Sequence, residues 1–488
     1  MSETPNTPLL VDTDHLGRIL AASLPAGVRA AELFIESRLT LGIETRDTDP
    51  ASGFPRVERG WETGAHLRRF SEGRHESFIL DSPEPGTLEA LALHPQAVTV
   101  DWLSDRPKLG VPPAQTLRPE ARLDQAAPSS EAGPWSSPWL TAALSALETW
   151  RDRLRRHAAG AGFTTRISGS LEARIQEILV LATGKDPARD TRPSLDATLH
   201  LEIARHGTRS EARERLCARS LDDLVAMTQG DALVRLFERA VEGLDADAPP
   251  SGTMPVIFAS PSGGFLLHEI CGHLLEADHI LRGDSPFVAS RGEAIAPAIL
   301  TLADDGSMAG MRGSLLYDDE GVAARRTPLI LQGTLVGFLS DRLTSFATQG
   351  ISTGNGRRQS YRDTPMPRMT NLVIEPGPSH PDEILAGTSS GLFVTRLGRG
   401  RVDPATGRFA LAVEEGYRVV SGRVDAPVRG AVLRGRAADL LLAIDAIGND
   451  PQADRGAPLC VKGDQAVPFG IMQPTLRVGS MTVSGPER

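Results

Sequence analysis

Period-two alternation is the strongest constraint this chain places on its fold. Residues Ala31 to Asp47 read AELFIESRLTLGIETRD, in which apolar and polar side chains alternate. Successive side chains on a strand point to opposite faces, so the run predicts strands of an antiparallel sheet with one face on a core. HLRRF (His66 to Phe70) and ESFIL (Glu76 to Leu80) read the same way. Farther on, RISGSLEARI from Arg166 and ATLHLEIARHGTRSEARERL from Ala197 form a meander, with an Arg-His-Gly turn joining two alternating runs.

Helical periodicity appears at a few places. A short segment spans Leu16 to Leu24. An amphipathic helix carries Leu140, Leu144, Leu147, Trp150 and Leu154 and ends near Gly160. A long helix is expected from about Ser220 to Leu244, with Leu224, Leu233, Phe237, Ala240, Val241 and Leu244 on its stripe and Ser220 and Asp223 as a capping box. Another is expected over Ala437 to Ile447. No repeat of fixed period is present, which excludes solenoids and propellers.

Proline and glycine divide the chain. Residues 106–138 are rich in Pro, Ala and Ser without periodicity and read as a linker or surface excursion. The run DADAPPSGTMP breaks the pattern before the strand-like PVIFA, so residues 1–246 are expected to form an N-terminal α+β region, with 139–246 its middle portion, and 247–488 a C-terminal domain. Hairpins dominate that second part, one turning at Gln332-Gly333 and one at Pro-Ala-Thr-Gly, residues 404–407. The expected class is α+β: N-terminal antiparallel sheets with flanking helices, then a β-rich, barrel-like domain carrying one metal-site helix.

Composition narrows the partners. Acidic residues outnumber basic ones, 62 against 52 in 488, and the charges fall in short mixed runs, which predicts no nucleic-acid partner. No stretch reaches bilayer-spanning length, and the first residues lack a basic segment followed by an apolar core, so no membrane partner is expected. Three cysteines far apart, Cys217, Cys271 and Cys460, suit a reducing cytoplasm.

The chemistry concentrates in HEICGH, His268 to His273. In the zinc-protease pattern H-E-x-x-H the histidines are four apart on one helix face and the glutamate is a general base. Here they are five apart, about 140° around a regular helix. Burying His268, Glu269 and His273 among the leucines of GFLLHEICGHLLEAD is costly without a partner, and a cation is a natural one. A wide turn or local break near Gly272, which tolerates backbone that other residues resist, is expected to swing His273 back toward His268. Catalytic zinc sites use three protein ligands and an open position; Cys271, Glu276, Asp278, His279 and Cys460 are all candidates for the third, and spacing does not choose among them.

Competing motifs read as turns. GTSSG, Gly387 to Gly391, places Ser389 as a hydrolase nucleophile, but that elbow needs strand then helix, and here helix-like HPDEILAG precedes strand-like GLFVTRL. RLGRGRV and STGNGRR lack the strand, glycine loop and helix of a nucleotide site. Asp304-Asp305 and Asp318-Asp319-Glu320 lack the spacing of a calcium loop and are expected to be solvated turns.

LLHEICGHLLEAD, ADDGSMAGMRGSLLYDDEGV, STGNGRRQSY, PRMTNLVIEPG and CVKGDQAVPFGIMQPTLRV, in this order, resemble the TldD/PmbA metalloproteases, in their metal-bearing TldD-like branch. The resemblance covers the second half closely and the first half only in layout, with 106–138 a departure. It implies an H-E-x-x-x-H zinc site with His268, His273 and Cys460 as ligands and Glu269 as base, leaving Cys271 to packing. It also implies a dimer, of identical chains or with a PmbA-like subunit, enclosing a cavity for unfolded or extended peptides. The alternatives are a dedicated maturation protease for a modified peptide or small conjugate, and a non-catalytic peptide-binding subunit.

Overall fold

The alternating runs become seven antiparallel strands in one sheet, in the spatial order Val98–Asp101, Arg74–Leu80, Arg56–Ser71, Ala30–Arg46, Thr164–Ala182, Ala188–Arg205 and Thr208–Ala218. The computed structural model describes residues 13–22, 24, 30–46, 55–71, 74–81, 98–101, 136–229, 232–261, 265–348, 350–456 and 459–485; most of the proline-rich stretch 106–138 lies outside them. Ala30–Arg46 is a single strand of 17 residues. On the same sheet, Ala188–Arg205 buries Leu195, Leu199, Leu201 and Ile203 against Leu147, Trp150 and Leu154 of the helix Ser137–Ala159. Ser136 caps that helix by accepting the Trp139 N–H at 3.2 Å, and Gly160 ends it. The Arg-His-Gly turn has positive φ at both His206 (51°) and Gly207 (86°), the backbone a two-residue hairpin requires.

The long helix expected over Ser220 to Leu244 is two helices, Leu221–Gln229 and Ala232–Glu242. Gly230 falls between them in sequence, and glycine is a poor helix former. Ala437 to Ile447 also divides, into a helix Ala437–Leu442 and a strand Ile444–Ile447. An apolar run of this kind fits either period, and pairing with Leu476–Val478 decides it.

In the second half, Gly252–Phe258, Ser390–Val402, Arg408–Val420, Val432–Arg436 and Leu476–Ser484 form a closed ring of five paired strands, the barrel of an α+β fold. A six-stranded sheet lies beside it, including Leu302–Asp305, Asn371–Ile374 and Gly470–Gln473. One pairing positions the site. Barrel strand Gly252–Phe258 leads toward HEICGH, and Leu476–Ser484 follows the Cys460 region; Leu476 pairs with Phe258, so two segments far apart in sequence start from adjacent strand ends. Among the described residues no helix is long and apolar enough to cross a membrane.

The acidic pairs are not solvated turns. Asp304, Asp305, Asp318, Asp319 and Glu320 are all buried. Asp318 accepts the backbone N–H groups of Glu320, Val322 and Gly356, and Glu320 accepts from Arg68 of the N-terminal sheet. Gly356 and Arg68 come from remote segments, which a local reading does not contain. STGNGRR is buried likewise, with Arg357 and Arg358 almost wholly enclosed.

Candidate metal centre

The HEICGH segment is not a regular α-helix. One α turn, Phe265–Leu267, widens into a π turn over His268–Gly272 and tightens to a 3-10 turn over His273–Leu275. The His273 N–H bonds to the His268 carbonyl, so a step of five residues closes about one turn and returns both imidazoles to one side. Their rings lie 4.8 Å apart, edge to face. Gly272 is conventional in its backbone (φ −50°, ψ −59°), so the expected relief by unusual φ does not occur. Glycine is needed there for room: a Cβ would stand 1.9 Å from the Met369 sulfur.

Cys460 arrives on a tight hairpin, Cys460–Lys462 paired with Gln465–Val467. Gly463 and Asp464 both take positive φ at its turn. Its sulfur lies 3.5 Å from His273 Nε2. One donor atom from each of His268, His273 and Cys460 falls within 4.8 Å of the others, and all three residues are buried. Cys271, three residues after His268, packs into the apolar core instead, and burial pushes its thiol up. Glu269 is half-buried and lines a cleft of about 1360 Å³ together with the three.

Neighbours orient the cluster. Phe265 and Phe469 stack on the His268 ring, at 5.6 and 3.9 Å between centroids. Glu276 Oε2 is 3.2 Å from His273 Nδ1, the carboxylate–histidine contact that fixes a ligand's tautomer and direction. Lys462 Nζ donates to Glu276 at 2.8 Å and to Asp278 at 2.7 Å, tying the cysteine hairpin to the histidine segment. Arg368, fully buried, donates to the carbonyls of Cys460 and Gln465. Glu276 and Asp278 are among the candidates the sequence offers, whereas Lys462 and Arg368 are not. Lys462 stands two residues from Cys460 on a strand and so shares its face, a signal legible in advance.

The electrostatics favour a sulfur anion beside positive charge. Burial pushes the Cys460 thiol up, but His273, His268 and Arg368 outweigh it and hold it well below its ordinary range. His273 is the converse: burial disfavours the imidazolium, while Cys460 and Glu276 raise its pKa well above the usual value. For Glu276, Lys462 and His273 overcome burial and hold the carboxyl far below the carboxylate range. GTSSG runs helix Pro381–Ala386 into strand Ser390–Val402, the reverse of a nucleophile elbow.

Residues 251–485 match the family model described as the PmbA/TldA metallopeptidase C-terminal domain. A Haemophilus influenzae protein named metalloprotease TldD homolog is 35% identical over 327 residues, 66% of this chain and 68% of the relative. The chain belongs to the TldD/PmbA family. Another TldD/PmbA relative, from Saccharolobus solfataricus and named zinc metalloprotease TldD homolog, is 33% identical over 254 residues, 52% of this chain and 56% of the relative. In fold, TldE from Thermococcus kodakarensis superposes with a TM-score of 0.71 at 17% identity, covering 97% of this chain and all of that one. A Bacteroides thetaiotaomicron protein described as a modulator of DNA gyrase also gives 0.71, at 18% identity over 98% of this chain and all of its own.

Proposed function

We propose that this TldD/PmbA chain is a zinc-dependent metallopeptidase, with His268, His273 and Cys460 as the ligands and Glu269 as the general base. The observation that carries the reading is the convergence of one sulfur and two imidazole donors within 4.8 Å in a buried site. The residues fit the ion. Tetrahedral zinc with its usual bond lengths spaces a nitrogen and a sulfur about 3.6 Å apart, and Cys460 Sγ stands 3.5 Å from His273 Nε2. His268 Nδ1 is buried without a hydrogen-bond partner among the described residues. Two imidazoles with one thiolate suit zinc and leave room for a substrate position.

When bound, zinc lowers the pKa of a water molecule and polarises the scissile carbonyl. Glu269, on the cleft wall, would serve as the general base toward the attacking water and return the proton to the leaving amine. Glu276 and Lys462 hold His273 in place while this occurs. The substrate is an unfolded or extended peptide. Strand Gly252–Phe258 pairs with Ser390–Val402 only as far as Val394, so the part from Thr395 to Val402 has one edge without a paired strand among the described residues, and that part lines the cleft. An extended peptide added there is held by main-chain hydrogen bonds, which gives weak sequence preference. A second subunit, identical or PmbA-like, completes the assembly, and the mass of the purified protein alone and mixed with such a subunit checks this.

Glu269→Ala is expected to retain zinc and to lose cleavage of an unfolded casein-type substrate by about 10²-fold or more. A fully active variant removes Glu269 from the base role. Cys460→Ser is expected to lower bound zinc per chain, measured by elemental analysis; unchanged stoichiometry takes Cys460 out of the ligand set.

A further inference from the structure

We propose that a small chamber between the N-terminal sheet and the C-terminal half binds one inorganic anion of chloride size. Six arginines line it: Arg174 and Arg192 from adjacent strands of the sheet, then Arg219, Arg312, Arg357 and Arg358. No carboxylate lines it among the described residues. Guanidinium groups do not deprotonate in proteins at neutral pH, so a small space lined by them and by no carboxylate carries a positive potential that favours an anion.

The carboxylates that pair with these arginines are not among the lining residues, and Glu32 is shared. Arg192 pairs with Asp190 at 3.0 Å and Asp319 at 2.5 Å, Arg174 with Glu172 at 3.0 Å, Arg312 with Asp196 at 2.5 Å, and Arg358 with Glu32 at 3.2 Å. Glu32 also serves Arg68 and Arg342. Arg357 is different. It is 4% exposed, donates to the Met369 carbonyl, and has no carboxylate within ion-pair distance among the described residues. Its Nε, and those of Arg358 and Arg174, are buried without a hydrogen-bond partner among the described residues. Burial and the neighbouring arginines push Arg357 and Arg358 down to about 10, which leaves both charged at neutral pH.

Size selects the ligand. The chamber measures about 30 Å³, roughly two water positions on the scale where 10–15 Å³ holds one. A halide fits; a carboxylate-bearing peptide does not. Residues 466–468 form part of the wall, and Val467 pairs with Cys460, so the anion sits behind the hairpin that carries the cysteine.

Crystals of the full chain grown with bromide are expected to give an anomalous peak in this chamber beside Arg357. In solution at matched ionic strength, chloride is expected to raise the melting temperature by about 3 °C over gluconate, which is too large to enter. Arg357→Met is expected to lose both the peak and the chloride effect. A chamber holding only water, with no anomalous peak, overturns the proposal, as does equal melting in the two salts. The bromide measurement on the unaltered protein decides the matter even where Arg357→Met fails to fold.

Discussion

At the scale of single residues, Gly272 shows how a spacing is made possible by what is absent from a side chain. Met369 fills the position a Cβ would occupy, at 1.9 Å from its sulfur. Gly272→Ala is therefore expected to destabilise the protein by about 1–3 kcal/mol through overpacking, read as a lower denaturant midpoint. A double change with Met369→Ala is expected to cost less than the sum of the two, since truncating Met369 frees the space the added methyl needs and the methyl fills part of the cavity left behind. Asp304 makes a second prediction. Burial raises its carboxyl to about 6, against hydrogen bonds from Thr370 and Asn355 that lower it. A carboxyl with a raised folded pKa binds its proton more tightly folded than unfolded. Its stabilising contribution is complete below the unfolded value and fades as pH rises through about 6. Asp304→Asn is expected to flatten the fall in stability between pH 4 and pH 6 on the order of 3 kcal/mol, and an unchanged pH slope contradicts this. In the candidate site, His268, Glu269 and His273 stood out in the sequence because imidazole and carboxylate groups are costly to bury among leucines without a cation. Cys460 did not stand out by spacing, since a cysteine in a turn-rich segment carries no local mark of what it faces. Arg368 was equally hidden, because the Cys460 carbonyl it bonds lies far off in sequence.

Among the elements, local patterning read well wherever one period dominated. The sheet strands and the helix Ser137–Ala159 follow directly from alternation and from the Leu147, Trp150, Leu154 stripe. It failed where an apolar run suited two periods, as at Ile444–Ile447, and at the break between the helices Leu221–Gln229 and Ala232–Glu242. HEICGH falls between these cases. The spacing of its histidines implied a widened turn, and the His273 N–H to His268 carbonyl bond is that turn. The hairpin bearing Cys460 is set by Gly463 and Asp464, both at positive φ. Gly463→Val is expected to strain that turn, loosen the Cys460 strand and weaken zinc retention without changing the histidine segment; competition with a chelator measures it.

For the whole molecule, the two halves are joined through buried charge. Arg68 of the N-terminal sheet is fully enclosed between Glu32 of the same sheet and Glu320 of the second half. Arg68→Ala removes the ion pair of the buried Glu320 and one of those on Glu32, and is expected to cost about 3–5 kcal/mol, read as a lower unfolding midpoint. The donor cluster has a similar long reach, with Cys460 standing 187 residues beyond His273. During synthesis at about 5–20 residues per second, roughly 10–40 s separate the emergence of the histidines from that of the cysteine. A chain still on the ribosome thus holds two of its three donors and lacks the strand that closes the barrel. On the proposed ligand set, cleaving power would appear only after translation has passed the histidine motif by nearly two hundred codons, which would protect the unfinished chain and its neighbours from premature proteolysis.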